Sequence, residues 1–150
     1  MRFFVLAIMA TTLLSGLAAA QETPIISEFM AANTSRAPLS QSELLDKDGD
    51  SSDWIEIWNP SSASVNLDGW CLTDNLDNPT KWRFPPVELA PGGFLIVFAS
   101  GKNERDPAEE LHTDFALAAG GESVALVGPD EMIVHAYPDY PPQFADISYG

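Results

Sequence analysis

The sequence predicts an all-β protein built as an antiparallel sandwich, and three observations carry that expectation. Short segments with apolar character, about eight of them, recur at regular spacing. Gly and Pro punctuate the intervals, and no stretch beyond the amino-terminal leader has the period of a long amphipathic helix.

Taken in order, Ile25-Ile26-Ser27-Glu28-Phe29-Met30 reads as an opening strand, and the polar run over residues 33–42 as an irregular loop. Residues 54–58 alternate, so that Trp54, Glu56 and Trp58 share one face and Ile55 and Ile57 the other. Asn59-Pro60-Ser61-Ser62 ends that strand as a turn. Val65-Asn66-Leu67 and residues 69–73 are expected to pair about Asp68-Gly69, a dipeptide suited to the positive φ of a tight turn. Residues 80–84 alternate again and stop at Pro85-Pro86. Pro91-Gly92-Gly93 then feeds Phe94-Leu95-Ile96-Val97-Phe98, whose continuous apolar run predicts a central strand covered on both faces. The charged segment 101–110 carries Pro107 and is expected to be a solvent loop, with room for a short helical turn over residues 107–111. Residues 113–117, 123–127 and 132–137 complete the set, the last two joined by Gly128-Pro129-Asp130-Glu131.

Ahead of these elements stand Arg2, an apolar run over residues 3–17, and Ala18-Ala19-Ala20 before the polar Gln21. That is the pattern of a secretory signal peptide cleaved after Ala20. The apolar run is short of the roughly 20 residues that span a bilayer. The expectation is therefore a leader at residues 1–20 and one domain at 21–150, secreted or at the cell surface, with no membrane span after cleavage. The only cysteine, Cys71, excludes an internal disulfide; between Trp70 and Leu72 it reads as a buried structural thiol.

Seven basic residues against 22 acidic ones give a net charge of −15. Loss of Arg2 with the leader deepens it by one unit. Such a balance opposes binding to a phosphate backbone, which needs clustered Lys and Arg, so no nucleic acid is expected as a partner. It suits solubility outside the cell, a divalent cation, or a basic partner surface.

The densest acidic stretch is Asp46-Lys47-Asp48-Gly49-Asp50-Ser51-Ser52-Asp53, running directly into the strand that holds Glu56. Carboxylates at alternating positions are how a flexible loop wraps Ca²⁺, and the candidate ligands are Asp46, Asp48 and Asp50, completed by Asp53 or Glu56. The loop begins like an EF-hand but departs where that loop demands glycine, at Ser51, and where it demands a closing glutamate, at Ile57. The other reading, a solvated acidic turn whose Asp side chains cap local backbone N–H groups, is preferred, and no cofactor is required.

Trp54 and Trp58 share their face with Glu56, which predicts that this face is partly exposed; packing is preferred there over an aromatic pair that receives a sugar or peptide, and Trp70 and Trp82 are expected in the core. His112 and His135 stand in no metal-ligand spacing, and no G-x-S-x-G elbow is present. Carboxylate pairs among so many acidic residues are no sign of glycoside hydrolysis. No catalytic residue is assigned.

Several blocks together resemble the lamin-tail domain, an immunoglobulin-like β-sandwich. They are Ile26-Ser27-Glu28-Phe29, residues 46–60, the run from Val65 to Asp74, Lys81-Trp82-Arg83-Phe84-Pro85, residues 92–101, Leu111-His112-Thr113-Asp114-Phe115 and residues 120–126. The resemblance implies the bacterial form of the family, in which the domain is an accessory module of exported proteins without catalytic residues of its own. Members normally continue past the point where this chain reads Ile147-Ser148-Tyr149-Gly150, which implies a domain lacking its carboxy-terminal end, or a gene fragment. The functional expectation is a non-catalytic interaction or spacer module whose partner is another protein or a cell-surface component. Two alternatives stand beside it: a calcium-dependent adhesion or binding module, and the amino-terminal accessory part of a larger exported protein.

Overall fold

A computed structural model describes residues 23–34 and 44–150. The expected leader at 1–20 and most of the expected loop at 33–42 lie outside the described residues. Ten strands follow one another: β1 (Ile25–Met30), β2 (Asp53–Trp58), β3 (Val65–Asn66), β4 (Cys71–Thr73), β5 (Trp82–Arg83), β6 (Glu88–Leu89), β7 (Phe94–Ala99), β8 (Leu111–His112), β9 (Val124–Val127) and β10 (Ile133–Tyr137). No helix occurs among the described residues.

Two four-stranded sheets form the sandwich, in the orders β1-β2-β7-β8 and β10-β9-β4-β5, with β3 and β6 as a small separate pair. All pairings are antiparallel except β7 with β8. The period of two decides what lies between the sheets. Ile26, Phe29, Ile55, Ile57 and Val97 of the first sheet meet Leu72, Trp82, Val124 and Leu126 of the second, all fully buried. Full burial of one such side chain is worth roughly 1.5–3 kcal/mol, so a chain without disulfides can rest on this core. Trp70, Trp82 and Cys71 are buried as expected. Burial pushes the Cys71 thiol above its ordinary pKa, which keeps it protonated and unreactive.

β2 and β7 pair without interruption from Asp53↔Ala99 to Trp58↔Phe94. At the Trp58 end the ladder runs into a turn held by Asn59, which is fully buried. Its backbone exchanges hydrogen bonds with Gly93 and Gly92 at 3.0 and 2.9 Å. Its side-chain amide donates to the carbonyls of Ala63, Leu89 and Ala90.

Several expectations are corrected. Residues 65–67 and 69–73 do not form a hairpin. The turn itself is present, with Gly69 at φ +83° and the Trp70 N–H on the Leu67 carbonyl at 3.0 Å. Its two arms nevertheless part, β3 to β6 and β4 to β5 and β9, because buried Leu67 and Trp70 draw the chain into the core. β7 is central in its sheet but covered on both faces only towards its end: Phe94 remains 58% exposed. The strand expected at 113–117 is instead β8, two residues earlier and parallel to β7, and residues 106–109 form a turn with no helix. Trp54, expected partly exposed, retains only 7% exposure. It lies between Met30 and Phe98 in a cross-strand row that also holds His112, and that row is largely buried.

Near the end of the chain Tyr149 exchanges both backbone hydrogen bonds with Phe29 of β1, at 2.9 and 2.8 Å. The edge of β1 thus carries one antiparallel rung from this segment.

Candidate functional site

The acidic loop before β2 folds around one carboxylate. The Asp46 N–H donates to the Asp50 carbonyl at 3.0 Å, and the Gly49 N–H reaches the Asp46 carbonyl at 2.8 Å. Gly49 adopts φ +83°, a conformation that a side chain would strain. The turn brings two N–H groups onto Asp46 Oδ1, those of Asp48 and Asp50, each at 3.0 Å. Asp46 Oδ2 accepts from the Ser52 hydroxyl at 2.8 Å and from Lys102 Nζ at 2.8 Å. The Asp46 side chain has no solvent exposure, so all four donors replace lost water.

Lys102 completes the arrangement from the far side of the sequence. Its ammonium also donates to Asp48 Oδ2 at 2.6 Å and Asp50 Oδ2 at 3.1 Å. Ligand-type oxygens of the three aspartates lie within 4.8 Å of one another, the only such group of His, Cys, Asp or Glu among the described residues. Burial alone would push the Asp46 carboxyl up, but Lys102, the Asp50 N–H, the Ser52 hydroxyl and the Asp48 N–H outweigh it and hold it well below the usual carboxylate range. The same contacts, led by Asp46 and Asp48, raise Lys102 above its ordinary value.

A second tie joins the same two loops: the Lys47 ammonium pairs with Glu104, and the Lys47 N–H donates to Glu110 at 2.6 Å. The acidic loop is thereby pinned to the connection between β7 and β8.

Of the five candidate ligands, the fold gathers Asp46, Asp48 and Asp50. Asp53 turns elsewhere and accepts the Asn33 N–H at 3.0 Å; burial raises its pKa. Glu56 accepts the Ser27 hydroxyl at 2.6 Å on the outer face of the sheet. Lys102 was absent from the sequence expectation. It lies 56 positions from Asp46, so no local spacing betrays it; the scarcity of cations in so acidic a chain is the one available signal.

The histidines form no common site. His112 is fully buried, stacks on Phe98 with centroids 5.2 Å apart, and places Nδ1 2.9 Å from the Ser100 hydroxyl. His135 packs edge-on against Tyr137 at 5.3 Å, and burial lowers its pKa. No helix among the described residues is long and apolar enough to cross a membrane.

Comparison with known proteins agrees with this architecture. A family model described as Lamin Tail Domain matches residues 18–139, well over half of the chain. No curated protein matches it.

Proposed function

Because the chain belongs to the lamin tail domain family, an immunoglobulin-like and non-enzymatic one, we propose that it is a non-catalytic interaction or spacer module working at the cell surface or outside the cell. One observation supports this reading above the others: the one cluster of three carboxylates found among the described residues is already closed by the protein's own ammonium group, Lys102. The loop then acts as a clasp that holds the sandwich in shape, while binding falls to the sheet surface. The amino-terminal pattern around Arg2 and Ala18-Ala19-Ala20 supports export, and the net charge of −15 suits a basic partner surface better than nucleic acid.

A second reading rests on the convergence of Asp46, Asp48 and Asp50. In it Ca²⁺ displaces the Lys102 ammonium, and the loop serves a calcium-dependent binding module with the weak affinity of extracellular modules, on the order of 10⁻⁴ to 10⁻³ M. A thermal melt of the chain in millimolar CaCl₂, MgCl₂ or EDTA separates the two, because an ion that binds only the folded state raises its stability by mass action. An unchanged melting temperature supports the clasp. A rise specific to Ca²⁺ supports the second reading.

A further inference from the structure

The outer face of the first sheet carries an arrangement that neither core packing nor the acidic loop uses. Register places Glu28 of β1 directly beside Glu56 of β2, with Ile96 of β7 next to Glu56. The adjacent row is Ile25, Trp58 and Phe94. Like charges directly opposite one another on neighbouring strands are unfavourable. Among the described residues no cation pairs with either glutamate: Glu56 accepts the Ser27 hydroxyl at 2.6 Å and Glu28 the Ser148 hydroxyl at 2.8 Å. The bulge in β1 between Ile26 and Glu28 is what sets Ser27 on this side.

Apolar side chains occupy the next cross-strand row on the same face. Trp58 and Phe94 lie nearly parallel, with ring centroids 6.0 Å apart and planes 13° from each other, and Phe94 is exposed. A free surface gains nothing from two acids without a cation, set one row from aromatic groups. A surface that receives a cation on an apolar stem does: carboxylates take the charge, rings take the stem, and a guanidinium gains from lying over a ring.

We infer that this face docks a basic segment of a partner protein, with an arginine or lysine head seated between Glu28 and Glu56 and its apolar neighbours against Trp58, Phe94 and Ile96. The inference rests on the proposed interaction role and assigns it a surface and a partner chemistry. A second copy of the chain is a poorer occupant, because it brings the same carboxylates and another net charge of −15. A neutral sugar leaves both charges uncompensated.

The test uses the full chain and a blocked peptide, Thr-Leu-Thr-Arg-Thr-Leu-Thr, against the same peptide with glutamine replacing arginine, followed by amide chemical-shift titration at 0.15 M NaCl. The arginine peptide is expected to shift signals of β1, β2 and β7, and the glutamine peptide to bind at least about tenfold more weakly. Glu28→Gln with Glu56→Gln should weaken arginine-peptide binding by about tenfold, while the equal charge change Asp106→Asn with Glu109→Gln leaves it within about twofold. Phe94→Ala removes an exposed ring, should fold normally, and should also weaken binding; it decides the matter if the double glutamine variant is unfolded. Equal losses in both charge variants would reduce the effect to net charge and overturn the inference. So would equal binding of the two peptides, absence of shifts at millimolar peptide, or self-association abolished by Phe94→Ala. The same shifts produced by a neutral oligosaccharide would assign the face to sugar instead. The melt in Ca²⁺ and EDTA is independent of all these outcomes, so failure here leaves the clasp reading separately testable.

Discussion

Lys102 Nζ stands 2.8 Å from Asp46 Oδ2, a contact made across 56 positions of the chain and completed by Asp48 and Asp50. Most ion pairs on a protein surface contribute little, because water screens both partners. This one differs on one side only: Asp46 has no exposed side-chain surface, whereas Lys102 keeps part of its own.

Removing the ammonium should therefore cost more than a surface pair would. Lys102→Met leaves Asp46 buried with its hydroxyl and N–H donors but without its cation, and the expected loss is about 2–3 kcal/mol, below the range for fully buried pairs. Urea unfolding at neutral pH measures it. A change under about 0.5 kcal/mol would put Lys102 among ordinary surface lysines.

The double variant Asp48→Ala, Asp50→Ala should behave differently. Both side chains are more than half exposed, and their role on Asp46 is played by their backbone N–H groups, which alanine retains. A loss below about 1 kcal/mol is expected. The same variant should abolish any Ca²⁺-induced rise in melting temperature if the calcium reading holds, so calorimetry with and without the ion reads both outcomes.

Acid should act on the clasp late. The folded-state pKa of Asp46 is depressed, so its contribution is complete above the ordinary carboxylate value, about 4, and is lost as pH falls through the lower folded value. Lys102 is raised, so its contribution is complete below about 10 and is lost only as pH climbs through the higher folded value. The difference in stability between the native chain and Lys102→Met should stay level from about pH 5 to 9 and shrink below about pH 4. A difference that already varies between pH 6 and 8 would mean that another group controls it.

The Glu28 and Glu56 pair predicts a stabilising substitution. Glu56→Gln keeps an oxygen for the Ser27 hydroxyl and removes the repulsion across the strands, so a gain of about 0.5 kcal/mol is expected. The gain should diminish as salt rises. Denaturant melts at low and high NaCl check it, and a loss of stability would show that the Ser27 bond needs the full carboxylate charge.

The core of the fold was legible because alternation writes it directly: Ile55 and Ile57 against Trp54, Glu56 and Trp58 names the inner face of β2 before any pairing is known. Pairing is less legible. Asp68-Gly69 announces a turn, but which strands meet beyond it depends on where Leu67 and Trp70 bury, a property of the whole core. β8 was misplaced because two buried residues, Leu111 and His112, are too short a run for any period to register. The burial of Trp54 was missed for a related reason: a face is read as exposed or covered from its own strand, whereas Met30, Phe98 and His112 come from three others. At the acidic loop, the three clustered aspartates were visible in their spacing. Their cation was not, because an ammonium arriving from the connection after β7 leaves no mark near residue 46.

The ladder between β2 and β7 is closed at each end by a different kind of lock. Beyond Trp58↔Phe94 stands the buried amide of Asn59, whose bonds are neutral and shielded; beyond Asp53↔Ala99 stands the ionic clasp. Fraying of these two strands should accordingly be lopsided. In concentrated salt, hydrogen exchange ought to quicken first at the amides around Asp53 and Ala99, while those beside Asn59 keep their protection, so the sheet opens from one side like a book held shut at the spine.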